Sequence, residues 1–346
     1  MVRLKRLRCA LFSLGLGLVG TAGQALAVDQ AMVDAAKDEG RLVWYSTLII
    51  DQAVRPMATA FQEKYGIEVA YSRAPGSDVA LKVINEARAG RVAGDVFDST
   101  TAMIPLLEAG LVESYAPEAV AAYPDDLKDP EGRWATTHLY FLTTSYNTEM
   151  IPADEVPRTY DDLLDPKWRG AMAWTNDLTP SGAPGFIYNM LAVKGEEKGM
   201  DYLRKLAEQR PATIAASQRV VLDRVISGEY PLGLMTFNHH DEISRAKGAP
   251  VDWIKMEPLV ATTSAIGILK NAPHPNAAKL FVEFVLSEEG QKVLAEAFYL
   301  PAHPDVPAKV PELKPEGGDF TITSVSPATH AEGLNKWISI YNDLFR

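Results

Sequence analysis

Apolar positions recur along this chain with two alternating periods. Arg41-Leu42-Val43-Trp44-Tyr45 has the pattern of a short buried strand, and Asp51 then caps a helix in which Ala53, Met57, Phe61 and Tyr65 return every four residues until Gly66. Ile67, Val69 and Tyr71 alternate as a second strand. Asp78 opens a helix carrying Val79, Val83, Ile84 and Ala87, Gly90 closes it, and Asp95 to Asp98 form a third strand. Strands separated by helices of this length predict right-handed βαβ units on a largely parallel sheet.

The pattern breaks at residues 116–133, where Pro117, Pro124, Pro130 and several acids mark a surface connection. Residues 134–146 then form an extended stretch long enough to pass from one domain into another. A second alternating region follows, with strands at 171–175, 212–215 and 232–237 and helices at 184–193, 200–209 and 219–226. Residues 251–254 and 264–269 read as strands, the later one returning to the first domain, and helices follow at 276–286 and 289–296. With 346 residues the chain exceeds the ~250–300 at which a single core stops growing, so two α/β domains are expected.

The N-terminal stretch changes the picture by placing the chain outside the cytoplasm. Arg3, Lys5, Arg6 and Arg8 form a basic head, residues 10–20 are mostly apolar, and Ala25-Leu26-Ala27 offers small residues at a signal-peptidase site. Cleavage after Ala27 is expected, releasing a soluble periplasmic monomer. The lone cysteine, Cys9, leaves with the signal, so neither disulfides nor thiolate metal sites hold the mature fold. The whole chain carries a net charge of −11, and the signal removes only basic residues. So acidic a chain is not a nucleic-acid binder.

Hydroxyl and amide side chains gather where strands end and helices begin. They are Ser46, Thr47, Ser77, Ser99, Thr100, Thr101, Thr175, Asn176, Thr179, Ser181 with Gly182, Ser217, and the run Asn238-His239-His240. Each residue taken singly reads as a helix N-cap. Their recurrence in two separate α/β units marks a cleft, because ligands of open α/β sheets bind beyond the carboxyl ends of the strands. Arg73 offers a counter-charge, although its place after a strand also fits a surface arginine. Enzyme motifs are scarce: Thr179-Pro180-Ser181-Gly182 lacks the leading glycine of a nucleophile elbow, and no Gly-Lys-Ser/Thr phosphate loop occurs. Asn238-His239-His240-Asp241-Glu242 is the densest group of metal-ligand types, but neighbours on a helix point about 100° apart, against a shared ion.

Several motifs, taken together, resemble the extracellular solute-binding proteins of bacterial ABC importers. They are Leu42-Val43-Trp44-Tyr45-Ser46, Gly94-Asp95-Val96-Phe97, Leu107-Glu108-Ala109-Gly110-Leu111, Tyr146-Asn147-Thr148, the segment 162–170, the segment 270–279 and Ser287-Glu288-Glu289-Gly290-Gln291. The chain is most similar to the ferric-iron-binding branch, which also includes binders of phosphonates and sugar phosphates. The resemblance implies a type II periplasmic binding fold: α/β, two lobes, hinge crossovers and a central ligand cleft. Residues 28–142 with 262–346 would form the first lobe and 143–261 the second, with crossovers near 141–146 and 258–263.

In iron-binding members an Asn-His-Tyr-Tyr run supplies two phenolates. Here His240 and Asp241 stand in their places, which disfavours hard ferric ion and favours an organic anion or phosphorylated solute. The expected ligand-binding residues are Ser46, Thr47, Ser77, Ser99, Thr100, Thr101, Thr175, Ser181, Gly182, Asn238, His239 and His240, with His240 and Asp241 as metal ligands only if the cargo is iron. No cofactor and no catalysis are expected, and the partners are a small solute and the membrane subunits of an ABC permease. The rival readings are an exported metal-dependent hydrolase using His239, His240 and Asp241, with His138 as the one further histidine near a crossover, and a ligand-binding partner of a sensory receptor.

Overall fold

The computed structural model describes residues 29–325 and 327–346, so the signal segment and its cleavage site lie outside the described residues. The first part of the chain runs α1 (Gln30–Glu39), β1 (Arg41–Ser46), α2 (Arg55–Tyr65), β2 (Glu68–Arg73), α3 (Gly76–Arg88), β3 (Val96–Ser99), α4 (Met103–Glu108) and the long β4 (Ala135–Asn147). Next come β5 (Met172–Thr175), α5 (Ala183–Lys194), α6 (Glu196–Glu208), β6 (Ala212–Ile214), α7 (Gln218–Ile226), β7 (Leu232–Phe237), α8 (Asn238–Arg245) and β8 (Val251–Ile254). The chain returns through β9 (Leu259–Ile268), α9 (Pro275–Leu286), α10 (Glu288–Glu296) and β10 (Leu300–Pro301), and ends with α11 (Pro315–Gly318), β11 (Ile322–Ser324) and α12 (Pro327–Phe345).

One continuous sheet of order β2-β1-β3-β9-β4-β7-β5-β6 runs through the molecule. Its outer thirds are parallel, β1 with β2 and β3 on one side and β5 with β6 and β7 on the other. Its centre is antiparallel, because β9 pairs with both β3 and β4, and β4 pairs in turn with β7. The parallel thirds are the two α/β units that the alternating periods predict, and β4 and β9 join them. Both lobes and the crossovers of the type II fold are therefore present.

Each lobe has its own apolar core. In the first, Trp44, Phe61, Phe281 and Phe284 are fully buried, and the Phe281 ring lies 5.1 Å from both the Trp44 and Phe61 rings. Aromatic contacts of this kind contribute about 0.5–1.5 kcal/mol beyond area burial. Two buried carboxylates tie this core to its loops. Asp95 accepts from the Val43 N–H, the His274 N–H and His274 Nδ1 at 2.7–2.9 Å, and Glu283 accepts from the Tyr115 hydroxyl and from the N–H groups of Glu118 and Ala119 at 2.6–3.1 Å. The second core is built on Trp174, Phe186, Met190, Tyr202 and Leu203.

Two local expectations differ from the structure. Asp51 does not cap α2. It sits in a wide turn, residues Ile50–Val54, and pairs with Arg55 at 2.7 Å as the helix proper begins. The assignment of all of 262–346 to the first lobe also fails at its end. Helix α12 packs on the second core, where Trp337, Ile340 and Tyr341 are buried and the Trp337 ring lies 4.7 Å from Tyr188. An amphipathic terminal helix goes where its apolar stripe finds a partner, and that partner is α5. The chain thus crosses between lobes a third time, along β11, which adds to β9 in parallel.

Candidate functional site

A cleft of about 340 Å3 lies between the lobes. From the first lobe it is lined by Thr47 after β1, Arg73 at the end of β2, Gly76 at the start of α3, and Ser99, Thr100 and Thr101 at the end of β3. From the second come Asp177, Thr179 and Ser181 after β5, Ser217, Gln218 and Arg219 at the start of α7, and Phe237 and His240 after β7. Ile49, Tyr140 on the crossover strand β4, and Tyr299 complete the lining. The site thus sits beyond the carboxyl ends of the parallel strands of both units, where helix starts bring unpaired N–H groups.

The hydroxyls differ in what they offer. Thr47 gives both its N–H and its hydroxyl proton to Asp98, at 3.2 and 3.0 Å, so it turns a lone pair toward the cleft and accepts from a solute hydroxyl. Asp98 is 1 % exposed, and burial pushes its carboxyl up to about 6 against the opposing hydrogen bonds from Ser46 and Thr47. Ser99 is also 1 % exposed and works in the opposite sense. Its oxygen accepts from the Thr101 and Ala102 N–H groups at 3.0 and 2.9 Å, which leaves its own proton for a ligand. Ser181, 6 % exposed, has no partner for its hydroxyl among the described residues.

Aromatic rings floor the cleft. Tyr140 lies tilted against Phe237 at 4.7 Å and stacks on His239 at 5.6 Å, and His138 sits edge-on to Tyr140 and Tyr299. Burial keeps the phenols protonated, Tyr299 near 12 and Tyr140 well above its ordinary range. Burial likewise pushes His138 and His240 down to about 3 and His239 far below the usual imidazole range, the His239 shift reinforced by its histidine neighbours. The floor is therefore uncharged near neutral pH.

Of the residues expected from sequence, Thr47, Ser99, Thr100, Thr101, Ser181 and His240 line the cleft. The others do not, for local reasons. Ser46 is fully buried and accepts the Leu48 N–H in the turn after β1. Ser77 is exposed beside the lining Gly76. Thr175 is buried, donating to the Ala216 carbonyl and accepting from the Asp177 N–H. Gly182 caps α5, where a Cβ would collide with the Asp177 carbonyl oxygen. Asn238 donates to the Leu313 carbonyl at 2.9 Å, and His239 lies wholly beneath the floor.

The metal pair is corrected on the same ground. His240 faces the cleft, whereas Asp241 is fully buried and accepts from the Ser145 hydroxyl at 2.8 Å. Burial pushes its carboxyl up to about 8. Adjacent residues at the start of a helix diverge, and no group of three or more His, Cys, Asp or Glu side chains suited to a metal ion occurs among the described residues. His138, the further ligand of the hydrolase reading, is fully buried in β4 with Nδ1 against the Thr137 hydroxyl.

The reading from hydroxyls missed the charges and the rings: Arg219, Asp177, Tyr140, Phe237 and Tyr299. Arg73 lines the cleft in register with Ser46, donates from Nε to the Thr47 carbonyl at 3.3 Å and has no carboxylate partner among the described residues. Arg219 is braced by Asp223 at 2.7 Å and by the Ser244 hydroxyl at 3.0 Å. The signal available was positional: both arginines fall where a strand ends or a helix starts, the rule already applied to serine and threonine.

Two lobes on one sheet, with a polar cleft at their strand ends, define a type II solute-binding protein. The structure is similar to AfuA of Actinobacillus pleuropneumoniae with exogenous fructose-6-phosphate bound, with a TM-score of 0.74 at 22 % identity, covering 88 % of this chain and 98 % of that one. Iron-bound HitA of Pseudomonas aeruginosa gives 0.72 at 24 %, covering 88 % and 99 %. The major ferric iron-binding protein of Neisseria meningitidis serogroup B is 25 % identical over 304 residues, 82 % of this chain and 88 % of that one. The model of the bacterial extracellular solute-binding proteins matches residues 94–321, and this chain belongs to that family. It is the substrate-binding component of an ABC importer.

Proposed function

We propose that this chain captures a small organic anion in the periplasm and delivers it to an ABC permease, without carrying out chemistry on it. The observation that carries the reading is the charge of the cleft. Two guanidiniums, Arg73 without a carboxylate partner among the described residues and Arg219 paired with Asp223, enter from opposite lobes against the single lining carboxylate of Asp177, among hydroxyls and an uncharged aromatic floor. Such a lining attracts carboxylate or phosphate oxygens and repels a bare trivalent cation. Relatives that carry iron in their names support the capture role, and the fructose-6-phosphate held by AfuA supports an organic cargo on this fold.

In this reading the signal is removed after Ala27 and the product is a periplasmic monomer. The lobes, 28–142 with the return segment and 143–261 with the terminal helix α12, close over the solute by bending near 141–146 and 258–263. The test is titration of the apo protein with ferric citrate, recorded by visible absorbance and heat, against a panel of phosphonates, sugar phosphates and carboxylates. An organic anion is expected to bind more tightly than iron. A coloured ferric complex tighter than any of them, weakened by His240→Ala, would restore iron as the cargo.

A further inference from the structure

The two lobes do not contribute equivalent halves of one anion site. In the second lobe, α7 starts at the cleft behind Ser217, whose hydroxyl caps nothing, and the unpartnered Ser181 hydroxyl and the Arg219 charge stand beside it. In the first lobe a separate set of donors is assembled. Arg73 keeps both of its terminal nitrogens without a partner among the described residues. Ser99, almost wholly buried, holds its proton unused. Helix α3, thirteen residues long, follows Pro75, whose ring offers no acceptor to cap it, and so reaches the cleft with the N–H of Gly76 free.

The residue that lets these donors meet is Gly76. A Cβ there would collide with the hydroxyls of both Ser99 and Thr101, so a larger residue would turn those hydroxyls away from the start of α3.

From this we infer that the first lobe carries its own oxyanion seat, formed by Arg73, Ser99, Thr101 and the start of α3 at Gly76, and that the cargo bears an anionic group at each end. This rests on the organic-anion reading above and narrows it to solutes with two separate anionic groups, such as phosphorylated acids and bisphosphates. Thr47, with its lone pair turned to the cleft, then meets a hydroxyl on the segment between the two ends.

Calorimetric titration with matched probes tests the inference. Glycerol 3-phosphate and 3-phosphoglycerate differ by a second anionic group on three carbons, and fructose 6-phosphate and fructose 1,6-bisphosphate do so on six. In at least one pair the two-ended member is expected to bind about tenfold to a hundredfold more tightly, the effect of one or two charge-assisted hydrogen bonds. Gly76→Ala and Arg73→Gln should each lower the two-ended member's affinity more than the one-ended member's, bringing their ratio to within about threefold of one. Arg73 is exposed, so its variant keeps the comparison valid if Gly76→Ala fails to fold. Equal affinities within both pairs, or variants that weaken both members in parallel, would overturn the first-lobe seat and leave the organic-anion reading standing. Binding of ferric citrate with none of the four organic probes would remove both.

Discussion

Asp241 is the residue at which this chain departs most clearly from a phenolate site, and its surroundings give that departure a measurable consequence. The carboxyl is enclosed, accepts from Ser145, and is pushed up to about 8 by burial, with Asp252 adding to the shift and Arg219 opposing it. A folded value above the unfolded one means that the native protein binds the extra proton, so this group's contribution to stability falls as pH rises from about 4 to 8. Asp241→Asn removes the titration. Its stability relative to the parent should therefore grow between pH 4 and pH 8 by several kcal/mol, about 1.4 kcal/mol for each unit by which the carboxyl is raised, read from urea midpoints at several pH values. The buried histidines slope the other way between about 3 and 6.5, but they are common to both proteins and cancel in the difference. An unchanged difference across that range would mean that Asp241 is ionised in the fold.

Asp95 makes a different kind of prediction, because it serves three donors and no ligand. Asp95→Ala strands the Val43 and His274 N–H groups inside the first lobe and should cost roughly 2–4 kcal/mol, seen as a lower melting temperature with solute affinity nearly intact in the folded fraction. The motif Gly94-Asp95-Val96-Phe97 is thus a fastening between β1 and the start of α9. A large loss of affinity without loss of stability would place it in binding instead.

At the scale of elements, the joint between β5 and α5 is the most sensitive to shape. The Gly182 position lies against the Asp177 carbonyl and Gly185 against that of Pro180, so a single methyl at either has no room. Gly182→Ala is expected to destabilise by about 1–3 kcal/mol and to weaken solute binding, because Asp177, Thr179 and Ser181 move with the loop. Thermal melts and calorimetry on the one variant separate the two effects, and a fully stable variant with normal affinity would show that the loop yields. Element by element, the period of apolar residues made most strands and helices legible, since burial on one face leaves that signature in any α/β chain. Caps were legible only in part. Asp51 has the sequence of an N-cap, yet a wide turn absorbs it, and no local pattern reports that geometry.

At the scale of the whole molecule, the two-lobed fold was legible from the count of alternating units and from the extended stretch that became β4. Half of the expected site residues reached the cleft, because a hydroxyl near a strand end points either to solvent or into the turn that it braces, and sequence does not separate the two. Arg73 was legible as a counter-charge, whereas Arg219 and the rings of the cleft were obscured by a search that centred on hydroxyls and amides. Closure is the remaining prediction. The lobes share β4 and β9, with register shifts after Thr136 and Thr143 where bending is easiest. Small-angle scattering should show a smaller radius of gyration at saturating solute, and an unchanged radius would contradict a hinge.

The third crossing carries a practical consequence. Helix α1 packs against α9 on one lobe, while α12 ends the chain on the other. The helices at Gln30 and Phe345 are therefore fixed to opposite jaws, and the gap between them changes whenever the jaws move. A donor dye near Gln30 and an acceptor near Phe345 would turn the protein into a fluorescent gauge of its own cargo, with no need to label the cleft.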